Sequence, residues 1–213
     1  MAIVITLAHQ KGGVGKSTLS LNLYGYFSQA GYKCVLVDID PQGSITSLLQ
    51  VFDEAGNIEL IERKSFKNYA ELENKIESFD VVLIDTPPYL SKELYECLSI
   101  SHMVLIPCKA SPFDALAVVQ TLELITEEQK KNTVLTSAIV LTMTISNTAL
   151  PQQIRESLQK HGVPILETEI KNRIAYARSL LFSGNVVNEE TGKAKEEISN
   201  LAIEIINLLS KKF

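Results

Sequence analysis

A chain of 213 residues, 46% of them hydrophobic, is long enough to bury one core and lies near the upper size of a single domain, so one domain spanning 1–213 is expected. A net charge of −5 argues against a generally basic nucleic-acid binder, and no apolar run reaches the roughly 18 to 20 residues that cross a bilayer. Cys34, Cys97 and Cys108 are widely spaced and offer neither a disulfide framework nor a CxxC metal site; with no signal-peptide layout at the N-terminus, a cytoplasmic protein is expected.

Taken in order, apolar runs alternate with helical stretches. AIVITLA (2–8) reads as a strand and leads straight into the glycine-rich HQKGGVGKST (9–18). A helix is predicted over about 17–30, with Leu19, Leu23, Tyr24 and Phe27 on one face and Gly31 suited to the left-handed turn that ends it. KCVLVDI (33–39) is the second strand, and 50–67 has no regular pattern. Helix 68–78 precedes strand DVVLID (80–85), helix 91–98 precedes HMVLIPC (102–108), and helix 112–128 precedes SAIVLTM (137–143). Helix 148–161, strand VPILETEI (163–170) and helices 173–182 and 194–211 follow, with 183–193 again irregular. The strands are apolar on successive residues, which suits burial on both faces of a parallel sheet. The expected class is therefore α/β, a doubly wound, mainly parallel twisted sheet flanked by helices, with ligands at the C-terminal ends of its strands.

A strand, a glycine-rich turn and a helix starting at Gly15-Lys16-Ser17 form the context in which such a turn binds phosphate. Gly12, Gly13 and Gly15 let successive N–H groups, Val14 included, converge on phosphate oxygens beside a helix N-terminus. Lys16 would reach the β- and γ-phosphates, and the Ser17 hydroxyl would ligate Mg²⁺. The strict GxxxxGK[ST] pattern is not met, because Gln10 stands where its first glycine belongs. Lys11 is one lysine more than such a loop needs. Acidic residues close the next strands, Asp38 and Asp40 in VLVDIDPQG and Asp85 in VVLIDTPP, and a carboxylate at that strand end can hold the hydration shell of Mg²⁺.

KGGVGKST, VDIDPQG and VVLIDTPP, in that order, resemble the deviant Walker A ATPases of the ParA/MinD group, specifically the short ParA-type partition proteins. IPCKASPFDALAV (106–118) is similar to the proline-containing segment of the ParF-like branch, with Pro107, Pro112 and Asp114 in matching places. EIKNRIAYARSLLFSGNVV (169–187) and EEISNLAIEIINLL resemble the family's last segments. The likeness begins at residue 3, so an N-terminal DNA-reading domain is not expected.

The resemblance implies a deviant Walker A P-loop NTPase with ATP and Mg²⁺ as cofactors. Lys11 crosses a sandwich homodimer to the phosphates bound by the other subunit, with Pro112 and Asp114 also at the interface. Lys11, Lys16 and Asp40 form the catalytic set, Asp40 orienting the attacking water. Ser17 binds the metal, Asp38 and Asp85 act on it through water, and Thr18 contacts the α-phosphate. The base falls near Met143 and the 171–173 loop, which names Lys171 and Arg173; Lys171 stands where a proline is common.

The implied activity is slow ATP hydrolysis accelerated by a ParB-like or small DNA-binding adaptor. ATP-bound dimers associate with the nucleoid through nonspecific DNA and position a plasmid, chromosome or other cargo. The C-terminal part is the locally basic one, +1 over 151–213 against −6 over 1–150. Candidate DNA contacts are Arg155, Arg173, Arg178, Lys193, Lys195, Lys211 and Lys212. The alternative is a MinD-like membrane-cycling ATPase, which needs a basic amphipathic C-terminal helix; IEIINLLSKKF has a little of that character through Leu208, Leu209, Lys211, Lys212 and Phe213. Ile198, Leu201, Ile205 and Leu208 instead form a core-facing stripe, so membrane attachment is not expected.

Overall fold

Dense runs of Val, Ile and Leu become the strands β1 (Ile3–Leu7), β2 (Cys34–Asp38), β3 (Leu60–Glu62), β4 (Val81–Asp85), β5 (Met103–Lys109), β6 (Thr136–Thr144) and β7 (Ile165–Lys171) of a computed structural model. The structure describes residues 2–51, 58–182, 184–188 and 192–212. The helices are α1 (Lys16–Gln29), α2 (Ser44–Val51), α3 (Tyr69–Ile76), α4 (Lys92–Ile100), α5 (Pro112–Gln129), α6 (Leu150–Gln159), α7 (Ile174–Phe182) and α8 (Lys193–Ser210). All seven strands are parallel, in the order β3-β2-β4-β1-β5-β6-β7. β2 and β4 are buried along their whole length, as strands covered on both faces must be.

This order puts β1 at the switch point, with β4 on one side and β5 on the other, so a crevice opens beyond its C-terminal end. Register fixes what surrounds that crevice. Leu7 pairs with Asp85, and Asp85 pairs with Asp38, so the loop after β1 and both carboxylates stand at one level. One face of the sheet packs α1 and α8 through residues such as Leu19, Leu23, Leu83, Leu105, Ile198 and Leu201. The other face packs α3 to α6 in two further clusters that include Leu72, Leu98, Val118 and Leu158.

Three features depart from the pattern read above. β3 and α2 lie where no element was predicted: β3 is a half-buried edge strand of three residues, and α2 buries only Ile45. α1 is buried nearly all round, Leu21 and Asn22 included, because the sheet covers one side and α8 another. The buried stripe of α8 is Ile198, Leu201, Ala202, Ile205 and Leu209, with Leu208 only partly buried. Lys212 Nζ donates to the Leu135 carbonyl (3.2 Å), so the end of α8 is docked on the body; Phe213 lies outside the described residues. Among the described residues no helix is long and apolar enough to cross a membrane.

Candidate nucleotide-binding site

The loop between β1 and α1 is braced from inside. His9 Nδ1 accepts the Lys11 N–H (2.9 Å), and Lys16 Nζ donates to the carbonyls of His9 (3.2 Å) and Lys11 (3.1 Å). Gly15 takes φ 100°, a value costly for any residue with a Cβ, and thereby turns the chain into α1. Thr142 Oγ1 donates to the Val14 carbonyl (2.9 Å), mooring the loop to β6. Gln10 donates to the Ala117 carbonyl (3.2 Å) and to Gln120, so the residue that replaces glycine tethers the loop to α5. Burial pulls the Lys16 pKa down, while the Asp85 and Asp40 carboxylates push it up. An ammonium held among carbonyls in a dry cradle binds an incoming phosphate more strongly than one in water.

Ser17 Oγ donates to Asp85 Oδ2 at 2.6 Å. The other carboxylate oxygen, Oδ1, is buried with no hydrogen-bond partner. Burial pushes the Asp85 pKa up to about 7, against the pull of the Ser17 bond. A hydroxyl beside an unsatisfied carboxylate oxygen fits a hydrated Mg²⁺, which takes oxygen ligands and keeps several waters. Asp38 is more committed: Oδ1 accepts the Asp40 N–H (3.1 Å), and Oδ2 accepts the Thr46 N–H (3.1 Å) and hydroxyl (3.0 Å). It braces the turn that carries Asp40. Asp40 Oδ1 accepts the Gln42 N–H (2.9 Å), and its charge reaches Lys16 and Asp85.

Lys11 points away from its own loop. Its Nζ donates to the Phe113 carbonyl (2.8 Å) and lies 5.6 Å from that ring's centroid. Phe113 is 77% exposed and Leu116 63%, one turn apart at the start of α5. Tyr89 and Leu90, after β4, and Ile145 and Leu150, after β6, are also exposed. All follow the C-terminal ends of strands, so this apolar rim lies on the side of the sheet where the crevice opens. Pro112 belongs to it, whereas Asp114 is turned inward, its charge acting on His9 and Cys108. The sequence reading missed Phe113 and Leu116, although their spacing on the side of α5 opposite Ala115 and Val118 was a usable signal. It also missed Lys109 at the end of β5, whose Nζ lies 3.7 Å from where a Cβ on Gly13 would sit.

Beyond Thr18 a cleft of about 260 Å³ brings together Gly15, Thr142, Met143, Lys171, Arg173 and Tyr176. Met143 has φ 51°, uncommon for a residue with a side chain, where the β6–β7 register slips between Thr142 and Thr144. The positions named for base contact thus share one cavity with the start of α1.

The DNA candidates are widely spread. Arg155 is a correction: it is buried, and its guanidinium donates to the carbonyls of Ile165 (3.2 Å) and Leu166 (2.9 Å), so its charge serves β7 and not a phosphate. Arg173 pairs with Glu197 at 2.6 Å. Arg178, Lys193 and Lys195 lie on α7 and the first turns of α8, while Lys211 and Lys212 follow its last turn, about 27 Å away at 1.5 Å per residue.

Residues 5–186 match the family described as the CobQ/CobB/MinD/ParA nucleotide binding domain. The chain is 29% identical over 210 residues to the maintenance of carboxysome distribution protein A of Halothiobacillus neapolitanus, covering 96% of this chain and 97% of that protein. It is 30% identical over 210 residues to the protein ParA of Rhizobium radiobacter, covering 94% and 91%. Among solved structures, cobyrinic acid a,c-diamide synthase of Mycobacterium smegmatis with bound ADP and magnesium aligns over 97% of this chain and 95% of that chain, with a TM-score of 0.76 and 20% identity, a likeness of fold.

Proposed function

Because the chain belongs to the CobQ/CobB/MinD/ParA nucleotide-binding family, we propose that it is a partition-type ATPase that binds Mg·ATP, closes on a second copy and in that state holds nonspecific DNA. The observation that carries this reading is the place of Lys11, at an exposed apolar rim beside Phe113 and not inside its own loop. A triphosphate enclosed between two protein faces needs more donors than one loop supplies, and a rim lysine brings one to the opposite subunit. The full-length likeness to a ParA protein and to a carboxysome-distribution protein supports cargo positioning as the purpose.

Bound Mg²⁺ would neutralise part of the triphosphate charge. This chain's residues do the rest. Lys16 exchanges the His9 and Lys11 carbonyls for phosphate oxygens. The Ser17 hydroxyl would hold the metal directly, and Asp85 and Asp38 would hold it through water. Asp40 aligns the attacking water, positioning it more than deprotonating it. Thr18 meets the α-phosphate, and Met143, Lys171 and Arg173 frame the base. Turnover is slow until a ParB-like or small DNA-binding adaptor docks. The membrane-cycling alternative is not favoured, since Ile198, Leu201, Ala202, Ile205 and Leu209 of α8 are buried in the core, although Ile203 and Ile206 are exposed.

The test is solution mass and DNA co-sedimentation with a non-cleavable ATP analogue, with ADP and without nucleotide. A dimer that binds DNA only with the analogue, and weakens steeply with salt, is the expected result. A monomer in all three states, or equal weak DNA binding in all three, overturns the reading.

A further inference from the structure

Two glutamates, two helical turns apart on α8, face the open edge of β7. Glu204 accepts the N–H groups of Glu167 and Thr168 (both 2.8 Å) and the Thr168 hydroxyl, closing an edge that would otherwise be free to pair. Glu197 does something different. Its Oε2 accepts the Lys171 N–H (3.2 Å) and the Tyr176 hydroxyl (2.9 Å), and its Oε1 accepts Arg173 Nε (2.8 Å) and Nη2 (2.6 Å). Lys171, Arg173 and Tyr176 all line the cleft beside Thr18 and Met143.

One carboxylate, its side chain 13% exposed, thus holds three parts of the same wall: the last residue of β7, the connecting turn and the first turn of α7. Asn172 adds only a backbone bond to the Thr144 carbonyl (3.0 Å), and the Lys171 ammonium is spent on Glu169 at 2.6 Å. The Tyr176 hydroxyl is mostly buried and donates to Glu197 at 2.9 Å and, at a longer 3.4 Å, to the Ala194 carbonyl, so loss of the carboxylate charge weakens its main bond. Nothing in the phosphate loop touches Glu197 in this arrangement.

We propose that Glu197 is a positioning residue for the nucleotide base: it sets the Lys171–Tyr176 wall, so that affinity for the base depends on it while affinity for the phosphates does not. The inference rests on the reading of that cleft as the base site. Glu204 supplies the control, because it braces the same strand through the same helix without reaching the cleft.

The experiment is calorimetric titration of the full chain, in Mg²⁺, with ATP and with inorganic tripolyphosphate, the folded fraction being checked by thermal melting. The unaltered protein should prefer ATP. Glu197→Gln should lose about tenfold in ATP affinity, with tripolyphosphate binding unchanged. Glu204→Gln should keep the preference for ATP even where its melting temperature falls as far as that of Glu197→Gln. Equal losses for both ligands in Glu197→Gln, or no loss for either, would make Glu197 a brace alone and overturn the proposal. An unaltered protein that binds ATP no better than tripolyphosphate would overturn the base-site reading itself, and this inference with it.

Discussion

The Lys11 ammonium lies 2.8 Å from the Phe113 carbonyl oxygen, so the loop's second lysine rests on the rim of its own subunit while Lys16 occupies the loop's centre. The two lysines therefore predict different losses. Lys16→Ala should weaken ATP binding by at least about a hundredfold. Lys11→Ala should leave single-subunit ATP affinity within about threefold and abolish the analogue-dependent dimer. Light scattering on the eluting species reads the second effect, and Leu116→Asp should reproduce it by placing a charge on the apolar rim.

Asp40 both closes a turn and is proposed to align water, and the two roles separate by substitution. Asp40→Asn retains an oxygen for the Gln42 N–H, so the turn survives. Phosphate release should still slow by roughly a hundredfold, and the ATP-bound dimer should persist correspondingly longer. Turnover equal to that of the unaltered protein would remove Asp40 from the reaction.

Two buried groups give stability opposite pH slopes in the absence of nucleotide. Burial lowers His9 from 6.5 to about 4, so the unfolded chain gains a proton the folded chain refuses, and stability is lost as pH falls through that window. Burial raises Asp85 from 3.8 to about 7, so the folded chain keeps a proton the unfolded chain has released, and stability is lost as pH rises through that window. Asp85→Asn should therefore be more stable than the unaltered protein at pH 8, by about 4 kcal/mol, with the difference vanishing below about pH 4. His9→Gln should show a deficit that narrows as pH falls from 6.5 to 4. Thermal melts in magnesium-free buffer across this range measure both.

Arg155 offers a negative control for DNA binding. Arg155→Ala strands the carbonyls of Ile165 and Leu166 and should cost about 2 to 3 kcal/mol of stability. DNA affinity per folded molecule should stay unchanged, since the guanidinium is mostly buried and committed to those carbonyls. Denaturant unfolding together with co-sedimentation separates the two effects.

Much of this architecture was written in the order of its residues. Strands buried on both faces must be apolar at successive positions, so β1, β2, β4, β5 and β6 stood out against the helices between them. The invisible elements are those that bury little: β3, three half-buried residues at an edge, and α2, with Ile45 alone inside. Charge was the poorest guide. An arginine donating to buried carbonyls and one facing solvent are the same letter, which is why Arg155 entered a list of DNA contacts.

The sequence by itself determined the chemistry of the phosphate loop, because permissive backbone, ammonium and hydroxyl lie together between Lys11 and Thr18, although Thr142 and α5 hold the loop in place. Tertiary structure alone decided which partner each polar group meets. Ser17 finds Asp85 across 68 positions, Lys11 finds Phe113 across 102, and Lys171, Arg173 and Tyr176 find Glu197 on another helix. Those meetings depend on sheet order and helix packing, where apolar burial brings remote segments together and every polar group carried inside must then be satisfied.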